Sequence, residues 1–100
     1  MEYITAKKAR ELLVKNQSHF CGVLRQKPLD YITVWIDNYE KSIGLAILEL
    51  RKVENQKSNK IQFSGGSWLA FSKSNCYQFN NYIVVSNENG YFNMIYRLEE

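Results

Sequence analysis

The stretch Tyr82-Ile83-Val84-Val85-Ser86-Asn87-Glu88-Asn89-Gly90-Tyr91-Phe92-Asn93-Met94-Ile95-Tyr96 carries the clearest local signal for the fold. Two runs rich in β-branched and aromatic residues, 82–86 and 91–96, flank a four-residue polar segment. The Asn-Gly pair in that segment readily adopts the positive φ angles that tight hairpin turns require. The stretch therefore predicts a C-terminal β-hairpin.

The region upstream of the hairpin also favours strands. Short strands are predicted at 61–64 and 68–71, with Gly65-Gly66 between them. A phosphate-binding loop would need a Gly-Lys-Ser/Thr end that leads into a helix, and this sequence lacks one. Gly-Gly here is therefore typical of a bulge or a tight turn. Residues 55–60 are polar and predict a loop.

The N-terminal half predicts two helices and a strand pair. Thr5 can cap a helix from Ala6 to about Lys15. Strands are expected at 19–25 and 30–36, the second because its residues are almost all β-branched or aromatic. Asp37 and Glu40 have capping-box spacing, and an apolar face continues to about Glu54, which favours a second helix. A strand over residues 42–53 is the alternative reading of that segment.

These elements predict a single α+β domain over residues 1–100, with two helices packed on a largely antiparallel β-sheet that ends in the hairpin. We expect both helices to cover one face of the sheet. The C-terminal strand is expected at a sheet edge, where Arg97, Glu99 and Glu100 would discourage unwanted pairing. A homodimer through this strand or through Leu45 and Leu48 is left open.

The composition is that of a globular chain with mild charge. Hydrophobic residues make up 45% of the 100 residues and the formal net charge is +3. Charged residues interrupt segment 1–14, so we expect no signal peptide, and no apolar run is long enough to span a membrane. These features predict a protein of the cytoplasm.

Few residues could support catalysis or hold a cofactor. His19 is the sole histidine, and with Cys21 it forms only a His-x-Cys fragment. Cys76 lies far away in sequence, no Cys-x-x-Cys pair exists, and a zinc site needs four donors. We therefore expect no enzyme activity, no metal and no cofactor; whether Cys21 and Cys76 meet in a disulfide stays open.

Two kinds of macromolecular binding remain. Protein binding is favoured by a surplus of aromatic residues, 14% of the chain, because such residues are enriched at interface cores. The candidate contact residues are Leu45, Leu48, Trp68, Phe71 and Tyr77. Nucleic-acid binding is the alternative, because basic clusters beside aromatic rings are typical of single-strand binders. Its candidate residues are Lys7, Lys8, Arg51, Lys52, Lys57 and Lys60.

The opening segment, Ile4-Thr5-Ala6-Lys7-Lys8-Ala9-Arg10-Glu11-Leu12-Leu13, resembles the first helix of many short bacteriophage accessory proteins. The resemblance covers about a tenth of the chain and carries no functional residue. It implies a setting in which small phage proteins bind host or defence-system proteins stoichiometrically, anti-CRISPR inhibitors included. This step is an analogy with a class of proteins. It leads us to expect an anti-defence inhibitor that acts in the cytoplasm of the bacterial host.

Overall fold

The computed structural model describes residues 1–44 and 46–99, with Glu88 described by its backbone alone. The elements follow the chain in the order β1 (Glu2–Ile4), α1 (Ala6–Lys15), β2 (Gln17–Arg25), α2 (Leu29–Ile43), β3 (Val53–Lys57), β4 (Lys60–Phe63), β5 (Trp68–Ala70), β6 (Asn75–Phe79), β7 (Tyr82–Asn87) and β8 (Phe92–Glu99), with a 3-10 turn at Glu88–Gly90.

The described strands form two antiparallel sheets. The five-stranded sheet has the order β1-β6-β7-β8-β2, and the three-stranded sheet has the order β3-β4-β5. The predicted hairpin is confirmed, because β7 pairs with β8 in register from Tyr82 opposite Arg97 to Asn87 opposite Phe92. Asn89 and Gly90 adopt φ angles of 56° and 89° in its turn. The α+β class is confirmed as well.

Helix α1 forms where the sequence predicts it. The Lys8 N–H donates to Thr5 Oγ1 at 3.0 Å, which satisfies one free donor of the first turn. Ala9 and Leu13 are fully buried against the five-stranded sheet. The three-stranded sheet packs on the same side, through Ile61, Phe63, Leu69 and Phe71. We call this side of the five-stranded sheet the α1 face.

The strand predicted at 30–36 is wrong, because these residues belong to α2. Pro28 occupies the cap position, where its fixed φ of −70° suits helix entry. Apolar residues then recur at helical spacing and contact the sheet: Leu29, Ile32, Trp35, Ile36 and Tyr39. Burial of this stripe outweighs the weak preference of β-branched residues for strands.

The helix predicted from Asp37 to Glu54 is only partly right. Asp37 lies inside α2 and not at its start, and α2 ends at Ile43, before Gly44. Gly44 has a φ of 47°, a conformation that suits glycine. Described residues 46–52 then form a connector without helix, so the alternative strand over 42–53 is also wrong for most of its length. Strand β3 covers residues 55–57 of the predicted polar loop and β4 begins at Lys60, so only the turn at Ser58 and Asn59 lies outside the strands.

The two helices lie on opposite faces of the five-stranded sheet, contrary to expectation. Along β7, Ile83 and Val85 pack with α1, whereas Tyr82 and Val84 pack with α2. A strand turns successive side chains to opposite faces, so this continuous apolar run is buried on both sides. The expected edge position of the C-terminal strand is also wrong, because β8 lies between β7 and β2. A homodimer through β8 would therefore have no free strand edge to pair with.

Candidate interaction surfaces

A groove of about 230 Å³ opens on the α1 face, beside the edge strand β2. We call it the aromatic groove, and its lining residues are Ser18, Phe20, Arg51, Phe63, Ser67, Trp68, Met94 and Tyr96. They come from β2, β4, β5, β8, the connector and the turn before β5. No continuous segment of sequence contains the site, so it forms only when the two sheets pack together.

Stacked aromatic rings form the floor of the groove. The ring of Tyr96 stacks on Phe63 with centroids 5.5 Å apart, and it lies 5.3 Å from the ring of Phe20. Burial raises the pKa of the Tyr96 phenol, so this side chain stays neutral. Phe20, in contrast, is 46% exposed. The groove therefore offers a solvent-facing ring supported by buried, fixed rings.

Arg51 lines the groove and joins the connector to β2 through backbone hydrogen bonds. Its backbone N–H donates to the Ser18 carbonyl at 2.8 Å, and its carbonyl accepts from the Ser18 N–H at 3.0 Å. Its guanidinium contacts the Glu49 carboxylate at 3.3 Å and donates to Ser67 Oγ at 3.5 Å. The Glu49 carboxylate thus partly neutralises the charge of Arg51. Arg51 forms part of the polar rim of the aromatic groove.

A second surface lies on the outer side of the three-stranded sheet. Because Ile61, Phe63 and Leu69 point into the core, the alternate residues of these strands point outward. We call the outward set the lysine–tryptophan face, and its residues are Asn55, Lys57, Lys60, Gln62 and Trp68. The ammonium groups of Lys57 and Lys60 lie 5.5 Å and 4.8 Å from the centroid of the Trp68 ring. The Asn55 amide donates to the Gln62 amide oxygen at 2.7 Å.

The fold separates charge between the two faces of the five-stranded sheet. On the α1 side, residues 5–15 and 51–73 contain nine cationic side chains and two carboxylates. The cations are Lys7, Lys8, Arg10, Lys15, Arg51, Lys52, Lys57, Lys60 and Lys73, and the carboxylates are Glu11 and Glu54. On the other side, α2 contains three carboxylates, Asp30, Asp37 and Glu40, and one cation, Lys41, while Lys27 and Arg97 contact α2 from outside it. The net charge of the whole chain, +3, does not reveal this separation.

The residues predicted for protein contact do not form one surface. Trp68 is exposed and lines the aromatic groove, whereas Phe71 is 5% exposed and packs in the core. Tyr77 packs on the α2 side, and its ring lies edge-on to Tyr3 at 5.9 Å. Leu48 lies half-buried in the connector, and Leu45 lies outside the described residues.

The basic residues predicted for nucleic-acid contact lie at separate places on the α1 side. Lys57 and Lys60 meet at Trp68, and Arg51 belongs to the aromatic groove. Lys7 lines a broad cleft between α1 and β3 together with Arg10, Glu11, Val14, Lys15 and Gln56. Lys8 and Lys52 are exposed on the same side of the molecule.

Six groove residues were not among the candidates predicted from the sequence: Ser18, Phe20, Phe63, Ser67, Met94 and Tyr96. A signal existed for two of them, because Met94, Tyr96 and Leu98 alternate along β8 and so share one face of the strand. That pattern predicts a buried face, but not that one end of it stays open beside Phe20.

Titratable groups cluster on the opposite, α2 side. His19 Nε2 lies 2.5 Å from the Tyr39 hydroxyl, and its Nδ1 lies 3.2 Å from the Glu49 carbonyl oxygen. Burial raises the pKa of the Cys21 thiol to about 11, so near pH 7 this thiol is protonated and is not a poised nucleophile. The Tyr82 hydroxyl and the Arg97 guanidinium both donate to Glu40. These contacts fasten α2 and the connector to the sheet.

The two cysteines do not meet. Cys76 is buried on the α1 side, whereas Cys21 packs on the α2 side. Their strands, β6 and β2, are separated by β7 and β8. Three interstrand spacings amount to about 14 Å, beyond the reach of a disulfide.

Of the helices in the described ranges, neither is long and apolar enough to cross a membrane. In residues 1–44 and 46–99, no three His, Cys, Asp or Glu side chains are grouped as metal ligands. Comparisons with protein-family models, with curated proteins and with solved structures found no match.

Proposed function

We propose that this protein works by stoichiometric binding of a partner protein in the aromatic groove, and that the partner belongs to a bacterial defence system such as a CRISPR complex. The binding mode is supported by the groove itself. The class of partner is supported by the resemblance of residues 4–13 to bacteriophage accessory proteins.

One observation carries the binding mode: Phe20 faces solvent above the buried rings of Tyr96 and Phe63. Interfaces gain most of their affinity from a few large side chains that lose water in well-packed pockets. A groove with an aromatic floor and the polar rim formed by Ser18, Ser67 and Arg51 suits one apolar anchor side chain of a partner. Fixed rings also lower the entropic cost of binding.

A matched pair of variants tests the proposal. Phe20→Lys places a charge in the groove, whereas Val34→Lys places the same charge on the exposed side of α2, where Val34 is 59% exposed. The wild-type protein and both variants would be expressed in bacteria that carry a defined CRISPR system targeting an infecting phage, and phage plating would be counted. We expect wild type and Val34→Lys to restore plating and Phe20→Lys to lose the effect.

Purified components then test stoichiometry. Titration calorimetry of the defence complex with the wild-type chain should give a fixed integral ratio, and Phe20→Lys should weaken affinity by about thirtyfold or more, the loss typical of a hot-spot residue. Unchanged plating with all three proteins in every defence background would refute the anti-defence assignment. Equal affinity of Phe20→Lys and wild type for a partner would refute the groove as its binding site.

A further inference from the structure

We infer that the lysine–tryptophan face binds single-stranded nucleic acid, with one base stacked on Trp68 and the neighbouring phosphates paired with Lys57 and Lys60. This activity differs from the proposed protein binding, although the two sites share Trp68, which also lines the aromatic groove. It uses the outer side of the three-stranded sheet, where Phe20 and Tyr96 play no part.

Trp68 supplies a stacking surface. Its side chain is 44% exposed although the neighbouring Leu69 is buried. Stacking on an aromatic side chain is the sequence-tolerant element of single-strand recognition, because every base presents a π face. The amides of Asn55 and Gln62 lie on the same face, and such groups can donate to or accept from base edges.

The two lysines supply the phosphate contacts. Both ammonium groups lie within 5.5 Å of the Trp68 ring centroid, and they reach it from β4 and from the end of β3. When a base covers the ring, these flexible side chains can turn to the phosphates on either side of it. Exchange of a cation–π contact for a charge-assisted contact with phosphate favours the bound state.

Basic residues around the lysine–tryptophan face enlarge the surface that a single-stranded nucleic acid would contact. Lys52 precedes β3, and the cleft between β3 and α1 presents Lys7, Arg10 and Lys15. The carboxylates within residues 5–15 and 51–73 are Glu11, which lines that cleft, and Glu54, at the bulge in β3, and Glu49 pairs with Arg51. Cations are therefore in clear excess, and a polyanion would be drawn to this side of the molecule and not to α2.

An acidic protein segment is the competing occupant. Carboxylates would satisfy the lysines equally well, but they would leave the exposed indole face without a role. Nucleic acid uses both features, because it combines phosphates with π faces. The observations on this face therefore favour a nucleic-acid strand.

Fluorescence titration tests the inference with short oligonucleotides. The chain contains two tryptophans, so Trp35→Phe leaves Trp68 as the sole tryptophan. Addition of dT15 or rU15 at 50 mM NaCl should quench its emission. The reciprocal variant, Trp68→Phe, should show no quenching of Trp35, which lies on α2. Comparison of dT15 with rU15 distinguishes DNA from RNA as the better ligand.

Affinity measurements complete the test. Trp68→Ala should weaken binding of labelled dT15 or rU15 by about tenfold or more. Lys57→Gln with Lys60→Gln should make the slope of log affinity against log salt shallower by about 1.4, since each phosphate contact on a single strand contributes about 0.7. Lys41→Gln on α2 is the matched control and should leave both values unchanged.

Three results would overturn the inference. The first is no quenching and no binding of either oligonucleotide at 50 mM NaCl. The second is binding that Trp68→Ala and the double lysine variant leave unaltered. The third is preferential binding of poly-glutamate over dT15 and rU15 without quenching of Trp68, which would assign the face to an acidic protein.

Discussion

At the level of single residues, Glu40 makes the best-defined ionic contact between a helix and the five-stranded sheet. Its carboxylate accepts from the Arg97 guanidinium at 3.1 Å and from the Tyr82 hydroxyl, so it joins α2 to β8 and β7. These two hydrogen bonds favour the ionised form and lower the pKa of Glu40 below its ordinary value of 4.5. The free energy of unfolding should therefore depend on the protonation of this residue.

The sign of that dependence follows from linkage. A carboxyl whose pKa is lower in the folded state stabilises the fold above its unfolded pKa, and this contribution is lost as the pH falls through the folded value. We expect Glu40→Gln to unfold at lower urea concentration than wild type at pH 7, with the difference shrinking below about pH 4.5. Glu49→Gln is the control, because Glu49 makes only a surface ion pair with Arg51. Urea unfolding at pH 7 and pH 3 measures both, and a difference that is independent of pH would contradict the assignment.

At the level of elements, α2 shows how burial decides between helix and strand. Its first eight residues, Leu-Asp-Tyr-Ile-Thr-Val-Trp-Ile, have the composition of a strand. Ile32 and Ile36 are nevertheless buried, while Val34 between them is exposed. In a strand these three side chains would share one face. In a helix, positions four apart share a face and the middle position lies off it.

Because a helix and a strand would bury different members of this set, substitutions at Ile32, Val34 and Ile36 test whether the segment is a helix. Ile32→Ala and Ile36→Ala should each lower the free energy of unfolding by about 2–5 kcal/mol, the range for a buried isoleucine truncated to alanine. Val34→Ala should change it by less than about 1 kcal/mol, because the side chain is mostly in solvent. Chemical denaturation of the three variants measures these effects. Similar losses at all three positions would indicate a strand and contradict α2.

At the level of the whole molecule, the separation of charge between the two faces should be measurable without any specific partner. Lys7→Gln with Lys8→Gln removes two charges from the α1 side. Lys27→Gln with Lys41→Gln removes two charges from the α2 side, where Lys27 lies 4.7 Å from the Tyr31 ring centroid. The two double variants have equal net charge, so any difference between them reports charge distribution.

A heparin column provides the measurement. We expect the Lys7, Lys8 variant to elute at clearly lower salt than the Lys27, Lys41 variant, because a polyanion contacts the side with the greater cation density. The salt dependence of such contacts makes the elution position sensitive to one or two charges. Elution at the same salt concentration would mean that net charge alone governs binding.

The elements that short-range interactions specify could be predicted from the amino-acid sequence. The Thr5 cap, α1, the strand that begins near His19 and the hairpin around Asn89-Gly90 follow from hydrogen bonds and backbone conformations within a few residues, so local patterns predict them. Trp68, Lys57 and Lys60 could also be selected as candidates, because composition identifies aromatic and cationic side chains.

How those side chains act together depends on contacts between segments that are distant in sequence. The helix at 29–43 depends on a sheet that buries its apolar stripe, and the aromatic groove depends on five separate segments that meet where the two sheets pack. The charge separation depends on which face of the sheet each helix covers. In each case the deciding free energy comes from burial and proximity between residues distant in sequence, and no local pattern contains those distances.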